Sequence, residues 1–496
     1  MSPRKQPVSL YQLCIKNCLN LINESCYAIE KMYPDIDFKE LKKQKIYELK
    51  GFLMATLPAR IFDALCIERI SSRYRGDPRT QLNVLIHPKM TIFRKVYVDN
   101  GISQNFWLKT VPWFSRLVIL DLRYVCTDEI LKIIASKCLL LEELNIISRV
   151  DVCKSVINAS VLIRNVSDFG LSHLSNLKKL RVLSMDPPRN EKSARVGRCV
   201  TQTGIIMLLR ELPYLEELNI ESCDIGSTLI GASVGIGPLN LRKANCHFAS
   251  AEGIRKLIKI CPQLKELSVT HLSANDKESI LEEITVSELR LTVLNMSFFS
   301  YTESLQRLLQ VQGRYLTHFS LWDIDQSVNI DAVVHIGLSC PNLTSLCLMT
   351  QSNNLFIPRF FKRPDNMFSK LQNLTLGNEN FKLDDMVLFF LESTKNMTKL
   401  VLKYQTKLAI DELLLYVLKK GYLSNISSLW LDITLEVSMD VVMQIIQSCD
   451  KLTDLTVDVT AKNVIRILQC INDENLDLRF GGRQIGLFTD VIKRSG

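Results

Sequence analysis

Long apolar runs are missing from this sequence. Its 496 residues contain no stretch of about 18 consecutive apolar side chains, so no membrane-spanning helix is predicted. No apolar leader follows the basic opening residues, which points away from secretion. Cysteine pairing signals are absent too. The fifteen cysteines are odd in number, scattered, and include no C-x-x-C, so neither a disulfide framework nor a zinc ribbon is expected, and a reducing cytoplasmic or nuclear setting is. Asn295-Met296-Ser297 and Asn373-Leu374-Thr375 fit glycosylation sequons, but both fall inside predicted strands, which argues against an extracellular receptor. There is no P-loop, no G-x-G-x-x-G and no H-E-x-x-H. The six histidines (His87, His173, His247, His271, His318, His335) are dispersed. The chain is therefore expected to be no enzyme and to hold no cofactor or metal. Its net charge of +9 permits acidic partners without demanding nucleic acid.

What is present is a phrase that returns more than ten times, Leu-x-x-Leu-x-Leu. It stands as Leu117-x-x-Leu120-x-Leu122, Leu141-x-x-Leu144-x-Ile146 and Leu180-x-x-Leu183-x-Met185. It returns from Leu215, Leu241, Leu264, Leu291, Leu316, Leu343, Leu371, Met397, Ile426 and Leu452. A weaker copy, Phe93-x-x-Val96-x-Val98, is read as opening the array, and Leu476-x-Leu478 as closing it. The last two leucines of each phrase are two apart and so share one face of a strand. A helical tract follows: after Leu122, Thr127 is placed to cap a helix opening with Asp128 and Glu129. One strand plus one helix cannot bury its own apolar side, so the units must stack. At roughly 1.5–3 kcal/mol per buried leucine, stacking is strongly driven. The usual step of 23 to 29 residues is that of the leucine-rich repeat. The predicted fold is an α/β solenoid, a right-handed horseshoe with a concave parallel sheet and convex helices, preceded by an α-helical region. Its domains are read as a disordered start over 1–8, a helical region over 9–75, repeats over 90–480 and a cap over 481–496.

Cys138, Cys261, Cys340 and Cys449 each stand three residues before a phrase. This resembles the cysteine-containing subclass of leucine-rich repeats, which is common in F-box proteins and other ubiquitin-ligase receptors. The N-terminal region points the same way. Ser9 is a good helix cap, and Leu10, Leu13, Cys14 and Leu21 fall on one helical stripe. Ser9-Leu10-x-x-x-Cys14-x-x-x-Cys18 resembles the elongin-binding box; Cys18 departs from the Ala, Ile, Leu or Val expected there. The resemblance implies that Leu10 fills a pocket of elongin C, with Cys14 beside it, as an amphipathic helix in a groove. Leu57-Pro58-x-x-Ile61-x-x-x-Leu65 resembles the cullin-2 box, with Pro58 suited to a first helical turn.

The two boxes in this order before repeats are similar to the Zyg-eleven, Zer-one and PRAME families, substrate receptors of elongin B/C–cullin-2 ubiquitin ligases. The armadillo-type region of the first two is not found here, so their degron specificity does not carry over. Leu57-Pro58 and the apolar helix after it also resemble the opening of an F-box, which grips Skp-one in cullin-1 ligases, although Gly76-Asp77-Pro78 interrupts that pattern. A third reading makes residues 9–70 a plain cap on a non-ligase scaffold, with Leu10 and Cys14 buried against the first repeat.

Two sites for an unknown protein substrate are read from the repeats. On the concave face the outward positions turn from polar (Asp121, Arg123, Asn145, Asn219, Glu221) to apolar (Trp322, Cys347, Met349, Val401, Trp430), with Lys403 and Asp432 among them. Large apolar side chains at such positions suggest a binding surface. Mixed acids there argue against nucleic acid. The long repeat after Leu180 carries Arg189, Lys192, Arg195 and Arg198, read as a basic loop suited to acidic or phosphorylated substrate.

Overall fold

The computed structural model describes residues 9–34, 39–69, 74–95, 102–147, 166–186, 200–220, 223–231, 236–271, 276–324, 328, 330–350, 367–378, 384–394, 396–404, 410–433 and 437–482. Fifteen strands occur among them. They pair in parallel, and their order in the sheet is their order in the chain. The fold is a leucine-rich-repeat arrangement of strand-and-helix coils. Two compact units divide the described residues, one holding 9–245 and 256–264, the other 246–255 and 265–482.

The first unit opens with four helices: α1 (Leu10–Met32), α2 (Lys39–Thr56), α3 (Ala59–Glu68) and α4 (Pro78–Leu85). The Ser9 hydroxyl oxygen accepts the Gln12 N–H at 3.1 Å and starts α1. Ile15, Leu19, Ile22 and Cys26 form its buried stripe. The Glu30 carboxylate accepts the Tyr74 hydroxyl at 3.1 Å and the Asp77 N–H at 3.0 Å, tying α1 to the approach of α4. Strands follow: β1 (Ile92–Arg94), β2 (Ile119–Asp121), β3 (Glu143–Asn145), β4 (Val182–Met185), β5 (Glu217–Ile220) and β6 (Lys243–His247), whose last two residues count with the second unit. An edge strand such as β1 exposes unpaired backbone groups, and α3 covers this one. Asp63 accepts the N–H of Thr91 at 3.0 Å, its hydroxyl at 2.7 Å and the N–H of Ile92 at 3.3 Å, while Phe62 and Leu65 enter the core.

The second unit holds β7 (Glu266–Thr270), β8 (Val293–Ser297), β9 (His318–Ile324), β10 (Ser345–Thr350), β11 (Asn373–Asn378), β12 (Lys399–Tyr404), β13 (Ser428–Ile433), β14 (Asp454–Val457) and β15 (Arg479–Gly481). Each phrase supplies the expected buried pair, for example Leu321 after Phe319 and Leu402 after Leu400.

Register corrects the two ends of the array. Phe93, not Val96, pairs with Leu120, so the opening phrase is Met90-x-x-Phe93-x-Lys95. Met90 and Phe93 are fully buried, and Phe93 packs between Trp107 and Phe114, with ring centroids at 5.9 and 5.1 Å. Lys95 takes a leucine's place, its ammonium 5.5 Å from the Tyr124 ring. At the far end Phe480, not Leu476, pairs with Leu455. The predicted disordered start over 1–8 and most of the predicted C-terminal cap lie outside the described residues.

Two ladders hold successive coils in register. In the second unit the residue after the first leucine of each phrase is often Thr or Ser. The Thr317 hydroxyl donates to the Thr292 carbonyl at 3.0 Å, Thr344 to Thr317 at 3.0 Å, and Thr453 to Ser427 at 3.1 Å. In the first unit four of these positions are charged, Glu142, Arg181, Glu216 and Arg242, and Glu216 meets Arg181 at 2.7 Å and Arg242 at 3.6 Å. A second ladder joins helix starts. Asp128 accepts the N–H and hydroxyl of Ser167 at 2.8 and 2.6 Å, and Asp168 accepts those of Thr201 at the same distances. Glycine is required beside each carboxylate, since a Cβ on Gly170 would collide with Asp128 and one on Gly204 with Asp168. Gly204→Ala is expected to cost about 1–3 kcal/mol, read as a lowered melting temperature. Combining it with Asp168→Ala should cost less than the two singles summed, because one change removes the clash made by the other; strict additivity would refute the contact.

Candidate interaction surfaces

Helix α1 is apolar on two sides. Opposite its buried stripe runs a second one: Leu10, 76% exposed, Leu13, 44% exposed, and Leu21 stand in solvent with Cys14. Cys18 is half-buried at the margin. Positions 10, 14, 18 and 21 repeat at helical spacing and so form one seam. Sequence reasoning placed Leu10, Leu13, Cys14 and Cys18 here as elongin-binding residues. A plain cap would have buried Leu10 and Cys14; neither is buried. Leu21 and Tyr11 extend the exposed surface.

The cullin-box residues divide. Pro58 is exposed, and Leu57 and Ile61 are half-buried. Pro58 is the N-cap of α3 rather than a residue of its first turn. Leu65 is 0% exposed. Its spacing reflects the inward face of α3 beneath β1, so it offers a partner no surface.

The open face of the second unit gathers another group. Register aligns Met349 of β10, Gly377 of β11, Lys403 of β12 and Asp432 of β13 in one row. Cys347, Thr375, Val401 and Trp430 form the next. Lys403 Nζ lies 5.7 Å from the Trp322 ring and 5.8 Å from the Trp430 ring. Both indoles keep over a third of their surface in solvent. A lysine between two indole faces gains cation–π attraction from each. It reaches Trp322 across Gly377, where any Cβ would collide with the Met349 thioether. Cys347 and Val401 depart from expectation: they are only 8% and 5% exposed, small side chains set low between the indoles and Met349. Burial raises the Cys347 thiol to about 12. Arg189, Arg195 and Arg198 lie outside the described residues.

Sequence reasoning missed the Lys403 contact as a unit; Trp322 and Lys403 stand three strands apart, and only the register and the missing side chain at Gly377 bring them together. Among the described residues no group of three or more His, Cys, Asp or Glu is placed to hold a metal ion. No helix there is long and apolar enough to cross a membrane.

Strand order and phrase define the class, a leucine-rich-repeat protein. No family model matches the chain. Tubulin-specific chaperone E of Pongo abelii is 24% identical over 260 residues, covering 50% of this chain and 42% of that protein. The Homo sapiens protein of the same name is 23% identical over 260 residues with the same coverage. The match thus spans less than half the length of these relatives. Among solved structures, the yeast Rad7 and Elc1 complex aligns over 97% of this chain and 100% of the matched chain, at 13% identity and a TM-score of 0.41. TLR13 with ssRNA13 aligns over 72% and 48% at 14% identity and a TM-score of 0.34.

Exposure separates the cysteines. Cys14 is in solvent, while burial pushes Cys138, Cys261 and Cys340 up to about 12 and Cys449 to about 11, where the reactive thiolate is scarce. Brief iodoacetamide treatment of the native protein should label Cys14 at least about tenfold faster than these four. Peptide mass spectrometry reads the order, and early labelling of Cys138 would contradict the burial described.

Proposed function

We propose that the protein is a substrate-recognition subunit of a cullin-RING ubiquitin ligase. Helix α1 docks on elongin C, in complex with elongin B, through Leu10, Leu13, Cys14 and Cys18. The start of α3 (Leu57, Pro58, Ile61) adds a contact to cullin-2, without Leu65. The repeats hold a protein substrate, and the open face around Trp322, Met349, Lys403 and Trp430 is the surface assigned to it. The chain supplies no catalytic group of its own. Its contribution is proximity, since a substrate lysine held near a loaded carrier enzyme has a high effective concentration. The setting is cytoplasmic or nuclear.

One observation carries this reading: an apolar seam exposed on a helix whose opposite stripe already serves the fold. Solvating Leu10, Leu13 and Leu21 gives up several kcal/mol of potential burial, at about 25 cal/mol per Å² of apolar surface. A groove-binding partner recovers it. The F-box reading assigns the same task through Skp-one and cullin-1 and rests on Leu57-Pro58, of which Pro58 is exposed and Leu57 half-buried.

The test is capture of partners by the intact chain beside Leu10→Ala/Cys14→Ala and Leu57→Ala/Pro58→Ala variants, with folding checked by circular dichroism. Elongin C is expected to bind the parent and to weaken by at least about a hundredfold with the first pair, since two interface anchors each cost more than about 1.4 kcal/mol. The second pair should reduce cullin-2 alone. Skp-one in place of elongin C would move the protein to the F-box reading, and tubulin in their place would move it toward its chaperone relatives. Elongin C bound equally by parent and first variant would sink the assignment of α1.

A further inference from the structure

A cleft in the first unit lies outside every residue assigned so far. Its walls are Lys43, Tyr47 and Lys50 on α2, Phe106 and Lys109 on the helix Gln104–Thr110, and Trp113 just beyond it. Ile46 and Ile86 are buried at its base. The cleft holds about 240 Å³, less than the ~300–1,000 Å³ of small-molecule sites and enough for one or two side chains.

Its chemistry is one-sided. Among the described residues three lysines line it and no carboxylate does. Lys50 is half-buried, with its ammonium 5.0 Å from the Trp113 ring. Among the described residues no carboxylate pairs with it, and burial lowers its pKa. Lys43 meets Glu40 at 3.5 Å in an exposed pair, which is worth little in water. A half-buried cation without a counter-charge is costly unless something anionic arrives. Yet Tyr47 is 61% and Trp113 50% exposed, and aromatic side chains around a narrow, mostly apolar cleft fit an apolar anchor.

We propose that this cleft is a docking site for an acidic peptide segment of a partner protein, inserting one apolar or aromatic side chain beside Trp113 and setting a carboxylate on Lys50. Charge complementarity selects that occupant. The chain's own residues 1–8 carry Arg4 and Lys5 and no acid, so they do not complement it. A nucleic-acid strand fits less well. Lys50 already lies over the Trp113 ring on which a base would stack, and a cleft of this size takes one or two side chains rather than a run of bases. The seam on α1 is a separate surface, so this site stands whether or not elongin C binds there.

The experiment uses the full chain and a set of fluorescein-labelled decapeptides with a central Leu-Phe or Trp flanked by Asp and Glu. Three controls accompany them: the same peptides with Lys for the acids, the same with Ser for the anchor, and a labelled single-stranded oligonucleotide. Acidic anchored peptides should bind in fluorescence anisotropy, more weakly as salt rises. Lys50→Glu and Trp113→Ala should each weaken them by at least about tenfold, and Lys50→Arg should retain most of the affinity. Because Lys50 is partly exposed and Trp113 half in solvent, both variants should keep the parent's circular dichroism and its labelling of Cys14. Lys50→Glu should in turn favour the lysine-substituted peptides. Binding that ignores Lys50→Glu in a folded variant, preference for the oligonucleotide, or no binding by any acidic peptide would each overturn the proposal.

Discussion

The parallel hydrogen-bond ladder between one coil and the next is the constraint on which the structure depends. A strand of three to seven residues, from Ile119–Asp121 to His318–Ile324, has no stability alone. It exists because both edges find a neighbour in matching register, and because the paired leucines beneath it meet those of the adjacent coil. Side chains reinforce the ladder only where the backbone has already aligned them: a hydroxyl at Thr317, Thr344 or Thr453 reaches the preceding coil's carbonyl because the two residues occupy equivalent positions. The charged version at Arg181, Glu216 and Arg242 occupies the same positions in the first unit, so one geometric slot is filled by two different chemistries.

An array of this kind is open at its first strand, and there packing becomes specific. Asp63 satisfies the backbone at Thr91 and Ile92, and Phe62 and Leu65 complete the core beneath. The helical region therefore has a structural duty, and part of a docking motif read from spacing is that duty seen from outside. Leu65 belongs to the fold, whereas Pro58 and the seam on α1 do not. A cap and a docking helix are compatible because α1 uses different stripes of one cylinder, Ile15-Leu19-Ile22-Cys26 inward and Leu10-Cys14-Leu21 outward.

How far the sequence could be read follows the same physics. The period and the paired leucines were legible because every interior coil repeats one environment. Register at the ends was not, because the environment changes there. Val96 and Val98 look more like strand residues than Phe93 and Lys95, but Phe93 is the side chain that Trp107 and Phe114 surround. The aspartate–glycine contacts were also missed: Asp128 with Gly170 and Asp168 with Gly204 join helix starts in successive repeats, and an insertion of different length separates them each time. The signal was a Ser or Thr three residues before a glycine, at Ser167-Gly170 and Thr201-Gly204.

On the open face, placement was legible and depth was not. Alternation assigns Cys347, Val401, Trp322 and Trp430 to the same side, yet size decides which of them reach solvent. Large rings on a closely spaced sheet cover small neighbours, so Cys347 and Val401 sink while the indoles stand clear. Gly377 is what makes the arrangement possible: an ordinary side chain there would displace Met349 and stand between Lys403 and Trp322. The Lys403 ammonium is thereby held 5.7 and 5.8 Å from the two rings, where each indole face attracts it. Two rings, one cation and one glycine thus form a unit that no single strand contains, since Trp322, Gly377, Lys403 and Trp430 come from four different strands.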